Sequence, residues 1–168
     1  MSTPFYAGQI LTAEAMNNAL PHTTVVTGTQ TISSTSPVWV VGLSATLTAG
    51  VTYIGRAKIT VDGAGGGGTP EFRWTGPTAG SVLEMDIMSQ QCNTADAYQN
   101  GDVESATGYN SGFLDTPTLA ATQYVVWLEI TILPTADGTL ELQCANAAGA
   151  SDTFNIGIGS YFTIQQAQ

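Results

Sequence analysis

The sequence predicts an all-β fold: an antiparallel jelly-roll-like β-sandwich preceded by a short N-terminal helical segment. Three observations predict it. Apolar and polar residues alternate with period two through several runs. Turn residues separate those runs, and no helical pattern lies between them.

Residues 1–22 read differently from the rest. Thr12 is a good N-cap and Glu14 sits in the first turn, where the helix dipole favours an acid. Leu11 and Met16 are spaced to form a hydrophobic staple, and Pro21 stops the helix near Leu20. A helix of about two turns is too short to stand alone, so it must dock on something. Its own domain, a sister subunit and a different protein all remain open as hosts. The expected layout is an anchor segment at 1–22 and a β-domain at 23–168.

From Thr23 the period is two. A strand at 51–61 puts Val51, Tyr53, Ala57, Ile59 and Val61 on one face. A strand at 124–133 gathers Tyr124, Val126, Leu128, Ile130 and Ile132 against Val125, Trp127, Glu129 and Thr131. A strand at 139–145 gathers Leu140, Leu142 and Cys144. A strand at 153–164 carries Phe154, Ile156, Ile158, Phe162 and Ile164. Shorter strands are expected at 24–32, 37–43, 70–75 and 81–88. Turns are expected at Thr48-Ala49-Gly50, the glycine run at 63–68, Gly76-Pro77, Asn100-Gly101 and Asp137-Gly138. Asp-Gly between two alternating runs signals a hairpin. Residues 89–118 are poor in apolar side chains and read as a long surface excursion carrying at most one short strand.

Composition narrows the function. The chain has 168 residues, 43% of them hydrophobic, enough for one real core. Only 10% are charged, against about 25% in a typical soluble domain. The only bases are Arg56, Lys58 and Arg73, balanced up to that point by Glu14, Asp62 and Glu71. Ten acids and no base follow, so the whole net charge of −10 falls in residues 74–168. Such a surface repels phosphate, which disfavours nucleic acid and anionic membranes as partners. The N-terminus lacks the basic start and apolar core of a secretory signal, and no run approaches the roughly 18 apolar residues of a membrane span.

No motif carries an obvious chemistry. The run Asp62-Gly-Ala-Gly-Gly-Gly-Gly-Thr69 lacks the Gly-Lys-Ser/Thr ending of a phosphate loop, and Pro70 opens a strand after it. His22 is the only histidine and is expected in the linker ahead of the first strand. No nucleophile elbow appears; any two of the thirteen acids could meet as a carboxylate pair for sugar hydrolysis, but nothing singles one out, so catalytic residues are not expected. Asp96, Asp102 and Glu104 could offer oxygens to a divalent cation shared between subunits, but they lack the spacing of a known cation loop. No other cofactor is expected. Cys92 and Cys144 carry no metal spacing and read as two buried free thiols. Trp39, Trp74 and Trp127 lie in expected strands. Trp127 falls opposite the apolar face with Val125 and Leu133, which suggests a subunit contact through those three residues.

The opening Phe5-Tyr6-Ala7-Gly8-Gln9-Ile10-Leu11-Thr12-Ala13-Glu14-Ala15-Met16-Asn17 resembles the start of actinobacteriophage minor tail and related virion proteins. Their pattern runs Phe-x-Ala-Gly-Gln-x-Leu-Thr-Ala-x-x-Leu-Asn, with Met16 here in place of the last leucine. The stretches at 29–59, 134–146 and 159–164 are similar to a small β-domain found behind that opening. The resemblance implies a homotrimeric jelly roll, similar in outline to the heads of tumour-necrosis factor and complement. It implies a virion structural protein, either a minor tail protein or a capsid decoration protein, made in the host bacterial cytoplasm. Phe5, Tyr6, Gly8, Gln9, Leu11, Met16 and Leu20 would attach it to major capsid or tail proteins. Two rival readings stand beside it: a carbohydrate- or receptor-binding module of the tail, and a hydrolase acting on the host envelope.

Overall fold

The computed structural model describes residues 20–63, 68–77, 80–92, 98–105, 114–115, 124–147 and 152–167, with backbone alone for 80–92, 98–105, 114–115 and 124. The described chain is all-β. Its strands are β1 (His22–Val25), β2 (Gln30–Ile32), β3 (Val38–Leu47), β4 (Tyr53–Gly63), β5 (Pro70–Thr75), β6 (Gly80–Cys92), β7 (Tyr98–Ser105), β8 (Leu114–Asp115), β9 (Tyr124–Pro134), β10 (Gly138–Asn146), β11 (Phe154–Ile156) and β12 (Tyr161–Gln166).

All pairings are antiparallel, and they form two sheets. The larger has eight strands: the path β1-β12-β4-β9-β6-β7, with β11 paired to β4 and β2 paired to β11. The smaller runs β3-β10-β5-β8. Among the described strands the chain changes sheet at eight of eleven connections. The two inner faces share one core: Ala57, Ile59, Leu128 and Phe162 from the larger sheet, Leu43, Phe72, Trp74 and Leu142 from the smaller. Trp74 and Phe162 meet across it with ring centroids 4.7 Å apart.

Alternation places these residues as the sequence predicts. In β4 every second residue from Tyr53 to Val61 is buried, and in β9 the same holds from Val126 to Ile132. Val51 lies ahead of β4 and still packs on the core. Cys144 is a free, buried thiol; Cys92 falls on β6, of whose side chains nothing is described.

Several expectations need correcting. The run 153–164 is two strands, β11 and β12, and Ile158 between them is 65% exposed rather than part of the apolar face. Gly159 turns the chain with φ of 87°, a conformation that costs glycine little. The run 24–32 is likewise split into β1 and β2. The two interruptions face each other and bond: Val26 N–H donates to Ser160 O at 2.8 Å and Gly159 N–H to Val26 O at 3.3 Å, while Thr60 N–H of β4 donates to Ser160 Oγ at 3.0 Å. Each broken strand is therefore one line with matched bulges, which residue periodicity cannot reveal.

Asp137-Gly138 does not close a hairpin. It carries the chain from β9 in one sheet to β10 in the other. The Asp137 carboxylate accepts from Ala49 N–H at 2.8 Å, and Gly50 N–H donates to Pro134 O at 2.8 Å. Two sheet-to-sheet corners are thus tied together at one end of the molecule. Asn100-Gly101 is not a turn either: both residues lie inside β7, where its register against β6 shifts between Met88 and Gln90. The expected excursion at 89–118 contains the end of β6, all of β7 and the short β8. His22, expected in the linker, is the first residue of β1 and pairs with Ile164. The expected helix over 12–20 lies outside the described residues except for Leu20.

Candidate interaction surfaces

The outer face of the larger sheet is built in rows. Register aligns Val25, Tyr161, Lys58 and Trp127 across β1, β12, β4 and β9. Tyr161 and Trp127 meet edge to face at 6.5 Å, and the Lys58 ammonium lies 6.0 Å from the Trp127 ring centre. Trp127 is consequently half-buried by its own sheet. Val125 and Leu133, predicted with it as a subunit contact, are also half-buried on β9. Across the sheet, Val125 sits beside Thr60 and Leu133 beside Ser81.

The next row holds Thr23, Thr163, Arg56, Glu129 and, on β6, Asp86. Arg56 Nε donates to Glu129 Oε1 at 2.8 Å, and the Thr23 and Thr163 hydroxyls bond at 2.9 Å. Both ionic side chains are more than half exposed, so the pair contributes at most about 1 kcal/mol to stability. Around it opens a hollow of about 400 Å³ lined by Ile54, Arg56, Glu129, Thr131, Tyr161 and Thr163. Its lining carries one balanced ion pair beside aromatic and aliphatic side chains, and Glu84 and Asp86 of β6 stand in register with Thr131 and Glu129.

The other surface was not foreseen in the sequence. Pairing between β10 and β3 jumps from Glu141↔Ser44 to Gln143↔Trp39, so Val40, Val41, Gly42 and Leu43 stand opposite Leu142 alone. This is an enlarged β-bulge, a device that re-aims side chains. Val40 and Leu43 turn into the core, while Trp39 is 58% and Val41 68% exposed. Gly42 has φ of 92°, and a Cβ there would lie 2.7 Å from Val25 O, so the bulge lies close against the β1 backbone. The Gln30 amide locks the bulge: Nε2 donates to Trp39 O at 2.6 Å, and Val41 N–H donates to Oε1 at 2.9 Å. Strand-pattern reasoning placed Trp39 in a strand but had no signal for a bulge beyond the glycine after Val40-Val41.

The anchor residues Phe5, Tyr6, Gly8, Gln9, Leu11 and Met16 lie outside the described residues. Leu20 is 61% exposed and overhangs a second hollow of about 270 Å³, lined also by His22, Ala45, Thr46, Tyr53 and Gln166. The segment ahead of β1 therefore joins the body at the side where β1, β3 and β12 meet. Among the described residues, no group of three His, Cys, Asp or Glu is placed to hold a metal ion. Asp96 lies outside them, and Asp102 and Glu104 are on β7, whose side chains are not described.

The Cys144 thiol is pushed up to about 12 by burial, from 9.0. The folded chain therefore keeps a proton that the unfolded chain gives up. Stability from this group is complete below pH 9.0 and is lost as pH rises toward about 12. An aromatic disulfide reagent at pH 8 is expected to leave native Cys144 unlabelled and to modify it in urea, because the thiolate is the reactive form. Labelling of Cys144, located by peptide mass, at equal rates in both conditions would contradict its burial.

A scan of protein-family models and a search of curated proteins give no match to this chain.

Proposed function

We propose that this protein is a structural component of a bacteriophage particle, attached through residues 1–22 and displaying a trimeric jelly-roll body, as a minor tail or capsid decoration protein. One observation carries the reading. The Phe5 to Asn17 stretch, which resembles the opening of phage virion proteins, stands ahead of a body whose described strands, from β1 onward, all pair antiparallel.

The strand order supports the jelly-roll part. The path β1-β12-β4-β9 in one sheet and β3-β10-β5-β8 in the other interleaves early and late strands, as paired Greek keys do. The sheet-to-sheet corners at Asp137 and Gly50 suit the same wiring. The half-buried Trp127 and the hollow beside Tyr161 support an outer face that another subunit covers. A threefold body would present three attachment segments at once, which strengthens docking without new contacts per chain. Partners are then the chain itself and other virion proteins.

Deleting residues 1–20 tests the attachment. The shortened chain is expected to fold and to stay out of particles assembled in its presence, judged by mass spectrometry of purified virions. Normal incorporation would dispose of the attachment reading. Copy number in the same spectra separates the locations: hundreds of copies indicate capsid, and a few to tens indicate tail.

The carbohydrate-binding reading needs an exposed aromatic beside an amide. Trp39, in register with Gln143, supplies one.

A further inference from the structure

We infer that copies of this chain join head to tail, the Trp39–Val41 bulge of one copy seating in the Ile54–Tyr161 hollow of the next. The inference rests on the self-assembly part of the reading above and names its two halves.

Charge is the first argument. A chain carrying −10 repels its own copies. Copies repel one another least where their surfaces lack that charge. No Asp, Glu, Lys or Arg occurs between Glu14 and Arg56. That interval contains all of β1, β2 and β3. These strands form one side of the molecule, with β1 at the edge of the larger sheet and β3 at the edge of the smaller. The bulge is the prominent feature of that uncharged side. The described lining of the hollow is balanced by a different route, because Arg56 pairs with Glu129; the acids Glu84 and Asp86 stand on the neighbouring strand β6, in register with Thr131 and Glu129.

Shape is the second. The bulge is a knob, held by the Gln30 amide and pressed on the β1 backbone at Gly42, and it keeps Trp39 and Val41 more than half exposed. Isolated exposed apolar residues need no explanation; a rigidly braced Trp-Val pair does. The hollow, at about 400 Å³, is large enough for an indole and a neighbouring valine, and it offers the Tyr161 ring, the Ile54 side chain and the Arg56 guanidinium to pack on them.

Knob and hollow are different patches on one chain, so the contact is heterologous. Repeated by a rotation that closes, it makes a ring. An unclosed rotation would make a fibre.

The test uses the full chain and its mass in solution, by light scattering and sedimentation at micromolar concentration. The wild-type chain is expected to run as a closed oligomer. Trp39→Ser with Val41→Ser removes the knob, and Gln165→Arg lays a charged chain across the hollow. All three positions are exposed, so unfolding midpoints should stay near wild type. Each variant alone should be monomeric, with self-affinity reduced more than about tenfold. The decisive arm mixes the two. One intact knob and one intact hollow remain, so an equimolar mixture should form a 1:1 dimer and nothing larger.

A monomeric wild-type chain overturns the inference, as does a knob variant that keeps the wild-type mass. Absence of the mixed dimer also overturns it. A wild-type monomer that binds a glycan panel through Trp39 would give the bulge to a sugar instead. None of these results touches particle attachment, which the deletion of residues 1–20 reads separately.

Discussion

Replacing Trp74 with alanine is expected to remove about 3–5 kcal/mol of stability, as large-to-small changes of buried aromatics do. The indole is 1% exposed and packs at 4.7 Å on Phe162, a residue of the opposite sheet. The loss therefore falls on the seam between sheets. A domain of this size holds only about 5–15 kcal/mol in total, so the variant should melt far earlier. Trp74→Phe keeps a ring against Phe162. It also removes an indole N–H that finds no acceptor among the described residues. Its cost is expected to be less than half that of alanine, because an unpaired buried donor goes with the lost volume. Urea unfolding followed by far-ultraviolet circular dichroism measures both. Equal losses in the two variants would show that the ring contact does not hold the sheets together.

Much of this core was legible in the sequence because a strand with one wet face writes its orientation as alternation. Tyr53, Ala57, Ile59 and Val61, then Val126, Leu128, Ile130 and Ile132, are buried as their period requires. What alternation does not encode is which strand pairs with which. Asp137-Gly138 has the composition of a hairpin turn, yet it joins different sheets. The preference of those residues for a tight turn is local, and partner choice is settled by the core that β9 and β10 fill from opposite sides. Bulges escaped for a related reason. At Ser160 and Val26 two strands break together, and their backbone groups satisfy each other across the break.

The same limit explains the surfaces. Trp127 was expected on the outer face, and it is there, but its partial cover by Lys58 and Tyr161 comes from strands distant in sequence. Trp39 and Val41 share a face by alternation, and Gln30, a residue of another strand, bonds to both their backbone groups. The common face was legible; the bulge and the clamp that brace it were not. The uncharged interval from Glu14 to Arg56 was equally plain in the sequence. It acquires meaning only once β1 and β3 are seen to lie along one side of the body.

Asn146→Ala is the second substitution with a large expected effect. Asn146 ends β10 and is fully buried, a rare setting for an amide. Its Oδ1 accepts from Thr69 N–H at 3.0 Å, and its Nδ2 donates to Asp152 O at 2.6 Å. Its own N–H donates to Ser34 O at 2.9 Å. One side chain thus satisfies backbone groups from the approach to β5 and the approach to β11. Alanine leaves both of those groups without the amide, at about 1–3 kcal/mol for each that stays buried and unpaired. The expected loss is on the order of 2–5 kcal/mol, comparable to the removal of a core aromatic. Asn146→Asp sharpens the test. A carboxylate still accepts from Thr69 N–H but cannot donate to Asp152 O, and its charge would face that carbonyl. It is therefore expected to be as damaging as alanine at neutral pH and to recover partly in acid, where a protonated carboxyl can donate again. Thermal melts of both variants at pH 7 and pH 4 would show this. An aspartate variant as stable as wild type at pH 7 would mean that the bond to Asp152 O carries no weight.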